Sequence, residues 1–312
     1  MRYDFLSSST CNMCRSGSRK MIGMRLNASQ GLAPRKVPGI AVSVMQCENC
    51  ALIYPDPLPK PENMSDHYGV PPEEYWRNTS PWTSDYFSSQ IATVKRLLPF
   101  REGMSALDIG AGRGLGMASI AHAGFEPTGI EASVPFRDHA IRESGIEPKR
   151  LFLTSIEDAH FEPESFDFIN FGAVLEHLYD PDAALRQALQ WLRPGGIIHV
   201  EVPSSGHLIT RILNRFFRLR GTNYVSHISP MHTPFHIYEF SHRSFTENGL
   251  RNGYEVAEHQ IDVCEIAHVP GVLHPIFRWW MNRSKQGMQL VVYLRKLHPP
   301  RASPDIMAAQ PK

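Results

Sequence analysis

Residues 105–116, Ser-Ala-Leu-Asp-Ile-Gly-Ala-Gly-Arg-Gly-Leu-Gly, run an apolar strand into alternating glycines and then into a helical stretch. No other stretch restricts the fold so tightly. Within it Asp108, Gly110, Gly112 and Gly114 form D-x-G-x-G-x-G. The glycines let the backbone turn sharply and approach a ligand with no Cβ in the way. Strand, glycine turn and helix in that order read as a nucleoside-binding loop. Spacing separates the cofactor classes. A dinucleotide fingerprint G-x-G-x-x-G/A starting at Gly110 needs Gly or Ala where Leu115 stands, and one starting at Gly112 fails at Met117. The bare alternative is a tight turn that packs one helix on one strand; it calls for no companion motifs, and here companions follow.

Residues 125–131 form a short apolar strand that ends in Glu131, 23 residues after Asp108. Nucleoside-binding folds place a ribose carboxylate near that offset. The next strand, from Leu151, ends in two acids, Glu157 and Asp158. Residues 165–182 then carry F-D-F-I and V-L-E-H-L, and L-R-P-G-G from Leu192 opens a further strand. From Ser105 to Pro203 strands and helices alternate, which argues a parallel, doubly wound sheet with its ligand crevice at the carboxyl ends of the strands.

These motifs in this order resemble the class I S-adenosylmethionine-dependent methyltransferases, in their ubiquinone-biosynthesis-like and small-molecule branch, over roughly residues 104–260. The resemblance implies an α/β fold, a doubly wound, mostly parallel seven-stranded Rossmann-like sheet whose last strand is antiparallel, with S-adenosylmethionine as cofactor. It implies that Asp108 supports the methionine end of the cofactor, that Gly110, Gly112 and Gly114 form its loop, and that Glu131 holds the ribose. Glu157 or Asp158 then lies near the adenine, and Phe171 belongs to the cofactor set.

Four of the five cysteines form two C-x-x-C pairs, Cys11/Cys14 and Cys47/Cys50. Two such knuckles supply the tetrahedral sulfur set of a closed structural Zn²⁺ site. Disulfides are disfavoured where no export signal precedes them, and a thioredoxin-like pair is disfavoured because Cys50 leads into Ala-Leu-Ile-Tyr-Pro and not into a helix. The 32 intervening residues exceed a ribbon's usual spacing; Gly31, Pro34, Pro38 and Gly39 predict an extended loop before a strand at 39–45. Similar zinc ribbons precede this fold in sugar- and natural-product-modifying enzymes, often with Gly after the second Cys. Ala51 stands there instead.

The prolines of residues 54–61 predict a stiff linker, so that a zinc ribbon and linker occupy 1–60 and the methyltransferase domain 61–297. The tail 298–312 reads as disordered. Tyr68, Tyr75, Trp76 and Trp82 suit either a cover over the cofactor, as in similar enzymes, or simple packing. A helix is expected over 82–98 with Phe87, Ile91, Val94 and Leu98 on one face. Between Glu201 and Glu239 there is no acid but four arginines, Arg211, Arg215, Arg218 and Arg220. This insertion, about 204–240, reads as a cap. Residues 206–219 suit a lid helix meeting an anionic substrate, with a helix lying on an anionic membrane as the alternative. Ser241 is the expected N-cap of a following helix. The aromatic stretch 270–281 suits packing ahead of an interfacial patch.

A net charge of +1 gives no global case for nucleic acid. No apolar run reaches the ~18 residues that span a bilayer, and residues 1–9 lack a signal core; a cytoplasmic protein is the expectation. Methyl transfer asks the protein to align the acceptor, exclude water and take a proton. His177, on the turn that faces the methyl group in this fold, is the first candidate base, with Glu176 to orient or replace it. His232, His236, Tyr238 and His242 follow. The expected activity is methylation of a small or lipid-linked polar metabolite, a sugar or natural-product hydroxyl, with an anionic group suiting the arginines. Two alternatives stand beside it: a zinc-ribbon ribosomal-RNA methyltransferase and a non-catalytic adaptor on the same fold. Oligomeric state is left open.

Overall fold

The computed structural model describes residues 2–26, 41–76, 87–264, 266 and 269–298. It begins with short strands β1 (Tyr3–Leu6), β2 (Arg19–Leu26), β3 (Ala41–Cys47), β4 (Ile53–Asp56) and β5 (Leu58–Pro61). Two single-turn helices, α1 (Ser65–Tyr68) and α2 (Pro72–Tyr75), precede α3 (Ser88–Leu97). The alternating part comprises β6 (Ser105–Ile109), α4 (Leu115–His122), β7 (Glu126–Glu131), α5 (Val134–Glu143), β8 (Leu151–Leu153), β9 (Phe166–Gly172), α6 (Pro181–Trp191) and β10 (Leu192–Pro203). Then come α7 (Leu208–Leu219), α8 (His242–Asn252), β11 (Tyr254–Asp262), α9 (His274–Ser284) and β12 (Gln289–Lys296).

The main sheet has seven strands in the order β11-β12-β10-β9-β6-β7-β8. The pairs β8/β7, β7/β6, β6/β9 and β9/β10 are parallel, while β12 runs antiparallel to both its neighbours. This is the expected doubly wound sheet. Its central strands are buried on both faces, so they read as continuous apolar runs with Leu107, Ile109, Phe168, Ile169, Phe171, Ile198 and Val200 inside. The apolar face expected for α3 is buried as Phe87, Ile91, Val94 and Leu98; residues 82–86 of that expectation lie outside the described residues, as do Gly31, Pro34, Pro38, Gly39 and the tail from 299. Ser241 caps α8 in a reciprocal capping box with Ser244.

The proline linker is not a linker. Residues 53–56 pair with β3 and residues 58–61 pair with β1. Pro55, Pro57, Pro59 and Pro61 recur every second residue. Backbone N–H groups of a strand point alternately to its two edges, so prolines at period two strip donors from one edge and leave the other able to pair.

Nor does the cysteine segment stand apart. Cys11, Met13, Cys47 and Cys50 belong to the same buried cluster as Trp191, Tyr238, Phe240 and Phe245. Strands β2, β3 and β4 form a small antiparallel sheet, and the cap closes on both its edges. Met24 N donates to Asn223 O at 2.8 Å and Val225 N to Met24 O at 3.0 Å; on the far edge Ile53 and Glu239 exchange bonds of 2.9 and 3.0 Å.

One carboxylate ties these parts together. Asp182, buried in the first turn of α6, accepts from Arg15 Nη2 at 2.6 Å, Asn248 Nδ2 at 2.6 Å and Asn252 Nδ2 at 2.9 Å. Burial alone would raise its pKa, but Asn252, Arg15 and Asn248 outweigh it and hold the carboxyl below its usual range. A depressed folded pKa gives stability that is present above the ordinary carboxylate value and is lost as pH falls through the folded value. Asp182→Ala is expected to cost about 2–4 kcal/mol in urea unfolding at neutral pH, and the difference from the parent chain should shrink as the pH is lowered through that window.

Candidate functional site

At the first knuckle Cys11 N donates to Ser16 O (2.9 Å) and Arg15 N to Cys11 O (2.8 Å); at the second, Cys47 N donates to Leu52 O (2.9 Å) and Ala51 N to Cys47 O (3.0 Å). The two turns repeat one design. Each ends in a left-handed residue, Arg15 at φ 59° and Ala51 at φ 60°, which is why glycine suits the second position. The four Sγ atoms lie within 4.8 Å of one another, with Cys11–Cys50 and Cys14–Cys47 at 3.5 Å. All are free thiols. Sulfurs held at about 2.3 Å around a tetrahedral ion stand roughly 3.8 Å apart, so the donor set fits Zn²⁺. Without a cation, the hydrogen bond to Cys11 and then burial hold the Cys50 thiol well above its usual range, and burial pushes Cys47 up to about 11. The carbonyl of Cys50 accepts from Ser241 Oγ (2.5 Å) and Ser244 Oγ (3.1 Å), which joins the knuckle to the α8 cap.

The glycine loop leaves β6 with Gly110, Gly112 and Gly114 all at positive φ. Trp76 lies over it: a Cβ on Gly112 would stand 3.3 Å from the indole Cζ2. Glu131, at the end of β7, accepts from Gly112 N (2.8 Å) and Ser133 N (2.7 Å), and burial raises its pKa. The Ala132 amide bonds the carboxylate as well. Asp108 faces the interior. Its Oδ1 accepts from Asn170 Nδ2 at 2.6 Å, the Met117 amide also bonds it, and burial pushes it up to about 7. Asn170 Oδ1 in turn lies 2.7 Å from His199 Nδ1. Glu157 and Asp158 are exposed beyond β8, and Asp158 accepts from Ser155 Oγ at 2.9 Å. Phe171 is fully buried in the main core. Of the predicted cofactor residues, the three glycines and Glu131 therefore form one cradle, with Asp108 beneath it. Tyr75 and Trp76 pack on Phe136 across it, at 5.2 and 4.5 Å between ring centroids.

A cavity of about 540 Å³ opens beside the ends of β9 and β10, lined by Glu176, His236, His232, His207, Glu239 and Arg25 among others. Tyr68 connects it to the cradle. Its carbonyl accepts from Ser133 Oγ (2.7 Å), and its hydroxyl lies 3.2 Å from His177 Nδ1. Glu176 is buried, with Oε1 3.9 Å from His177 Nε2 and 3.8 Å from His236 Nε2. Those separations are too long for hydrogen bonds; the three donor atoms all lie within 4.8 Å of one another. Burial pushes the Glu176 carboxyl up to about 8 and holds His177 down at about 4, while His236 lies well below its ordinary value through burial first and then His177 and His232.

Three expectations change here. His177 is not among the residues that line the cavity, its Nδ1 lying within 3.3 Å of Phe235 O, and His236 takes the place on the wall. Tyr238 is spent on structure, accepting from Asn12 Nδ2 at 2.6 Å and donating to Tyr179 O at 3.2 Å, and His242 lies against His259 at the start of α8. The cap arginines Arg211, Arg215, Arg218 and Arg220 are all exposed. The buried cation is Arg25, from β2. Its Nη1 donates to Tyr224 Oη (2.6 Å) and Val225 O (3.2 Å), and its Nη2 lies 3.3 Å from His232 Nε2. Among the described residues no carboxylate forms an ion pair with it, although Glu239 on the same cavity wall attracts it; burial, the larger effect, lowers its pKa. No sequence pattern singles out Met24-Arg25-Leu26.

A model of the methyltransferase domain matches residues 82–259, more than half of the chain. The chain is 35% identical over 102 residues to the ubiquinone biosynthesis O-methyltransferase of Aeromonas salmonicida, covering 31% of this chain and 42% of that protein. To the enzyme of the same name from Cereibacter sphaeroides it is 30% identical over 161 residues, 48% of this chain and 64% of the relative. The chain thus spans less than two thirds of either. Among solved structures, the methyltransferase in a complex with the Haloferax volcanii Trm112 methyltransferase activator superposes with a TM-score of 0.50 at 15% identity, over 77% of this chain and all of that one.

Two measurements check the knuckles. Cys50→Ser is expected to abolish retention of zinc by elemental analysis and to cost more than about 4 kcal/mol in chemical unfolding. Ala51→Gly, which relieves a left-handed alanine, is expected to keep the metal and add about 1 kcal/mol.

Proposed function

Because this chain belongs to the S-adenosylmethionine-dependent methyltransferases, we propose that it methylates a hydroxyl of a small or lipid-linked polar metabolite, a sugar or natural product, that carries an anionic group. The observation that carries this reading is Arg25: a buried guanidinium that forms no ion pair with a carboxylate among the described residues lines the cavity next to a Glu–His cluster. A charge held in that way is stabilised by an anion that arrives with the ligand. Zinc at the four cysteines, in this reading, is structural.

S-adenosylmethionine supplies an electrophilic methyl group. The chain's own residues do the rest. Glu131 and the glycine loop hold the nucleoside end, and the rings of Tyr75 and Trp76 exclude water from it. His236, neutral near pH 7 because its pKa is depressed, takes the acceptor's proton at Nε2. Glu176 behind that nitrogen steadies the resulting imidazolium once it has itself ionised. Its pKa of about 8 sets where that help begins.

Two outcomes are expected. With a purified acceptor, kcat/KM should rise with pH through about 8 as Glu176 ionises, and Glu176→Gln should flatten that limb. Arg25→Met should raise the acceptor KM by about 10- to 100-fold, the worth of one charged hydrogen bond, while S-adenosylhomocysteine binding stays unchanged. The acceptor itself is found by incubating the protein with methyl-labelled S-adenosylmethionine and fractionated extract. Label in carbohydrate or glycolipid supports the reading. Label in RNA, or failure to bind S-adenosylhomocysteine, would sink it.

A further inference from the structure

Helices α7 and α9 share one small apolar cluster, in which Leu208, Ile209 and Leu213 meet Phe277, Met281, Val263 and Ile266. That cluster uses only part of their apolar surface. On α7, Ile212, Phe216 and Leu219 fall on the other half of the stripe, and Leu219 is 82% exposed. Around α9, Val272 is 85%, Ile276 59%, Trp279 68% and Trp280 46% exposed. Side chains of this size scattered singly need no explanation, but a contiguous set marks an interaction surface. The expectation that residues 270–281 are used in packing therefore fails for most of them; among α9 residues only Met281 is buried.

Charge narrows the partner. Residues 202–238 and 266–298 contain no Asp or Glu. Arg211, Arg215 and Arg218 lie on the solvent side of α7 next to the exposed stripe, and Arg278, Arg283 and Lys285 lie along and just beyond α9. None of the six forms an ion pair with another described residue. Two copies of this face set against each other would bring these cations together with no carboxylate from either helix between them. An anionic lipid surface complements them, and it also accepts exposed tryptophans at the level of its headgroups.

We infer that the α7–α9 face docks the protein on the surface of an anionic bilayer, with the apolar stripe and Trp279 and Trp280 entering the headgroup region and the arginines meeting lipid phosphates. Ile212, Phe216, Leu219, Trp279, Trp280 and the arginines of this face lie outside the cradle and the cavity wall.

The test uses the purified full chain with vesicles of phosphatidylcholine alone and of phosphatidylcholine mixed with phosphatidylglycerol. Sedimentation with the mixed vesicles, weakened by salt, and a blue shift of tryptophan emission are expected. Two variants on different elements guard against a folding failure in either: Arg211→Ala/Arg215→Ala/Arg218→Ala and Trp279→Ala/Trp280→Ala. Both should bind S-adenosylhomocysteine like the parent chain. The arginine variant should lose partitioning by on the order of 100-fold, and the tryptophan variant should lose the blue shift. No partitioning at low salt overturns the proposal. So does equal binding to neutral vesicles, and so does a dimer in sedimentation velocity that dissociates in the tryptophan variant without any vesicle binding.

Discussion

The carboxylate of Asp182 sits where three separate pieces of chain meet. Arg15 brings the first knuckle to it, Asn248 and Asn252 bring α8, and α6 carries it. A buried charge is tolerable only when its lone pairs are filled, so each of these pieces holds its position on condition that the others hold theirs. The same junction places Cys50 O against Ser241 and Ser244. Thiol cluster, helix cap and sheet are thus one cooperative structure.

The cradle and the cavity are coupled by short links. Ser133 caps α5 and also donates to Tyr68 O, and the Tyr68 hydroxyl reaches His177, which stands 3.9 Å from Glu176. The cradle and the Glu176–His177–His236 cluster are thus joined through one aromatic side chain. Helix α7 has a comparable double position: Ile209, Thr210 and Leu213 line the cavity while Ile212 and Phe216 face outward. The cavity wall and the proposed docking surface are therefore two sides of a single helix.

Much of this was legible in the residues because it is local. The glycines at positive φ, the strand ending in Glu131 and the two knuckles each need only a few neighbouring residues, and their spacing carries the signal. The buried face of α3 and the Ser241 cap were readable for the same reason. Where the reading failed, the deciding partner lay far along the chain. Arg25 is one residue of an ordinary strand until Tyr224 and Val225 bury it. His177 and His236 cannot be ranked from sequence, since which of them reaches the cavity depends on how the cap folds back onto β9. The proline run misleads differently: its density suggests a linker, whereas its period decides which edge can pair. The cap arginines mislead because amphipathicity reports that a helix has two faces and says nothing of which one meets the cavity.

Arg25 belongs to the strand that follows the first knuckle, yet it lines the cavity beside β9 and β10. The segment that looks in sequence like an accessory module therefore supplies part of the cavity wall. Grafting the alternating α/β half onto a different amino-terminal ribbon would not give the same enzyme with a new handle. It would remove the buried guanidinium from the cavity wall and both edge contacts of the cap, so the shape and charge of the cavity belong to the ribbon as much as to the methyltransferase half.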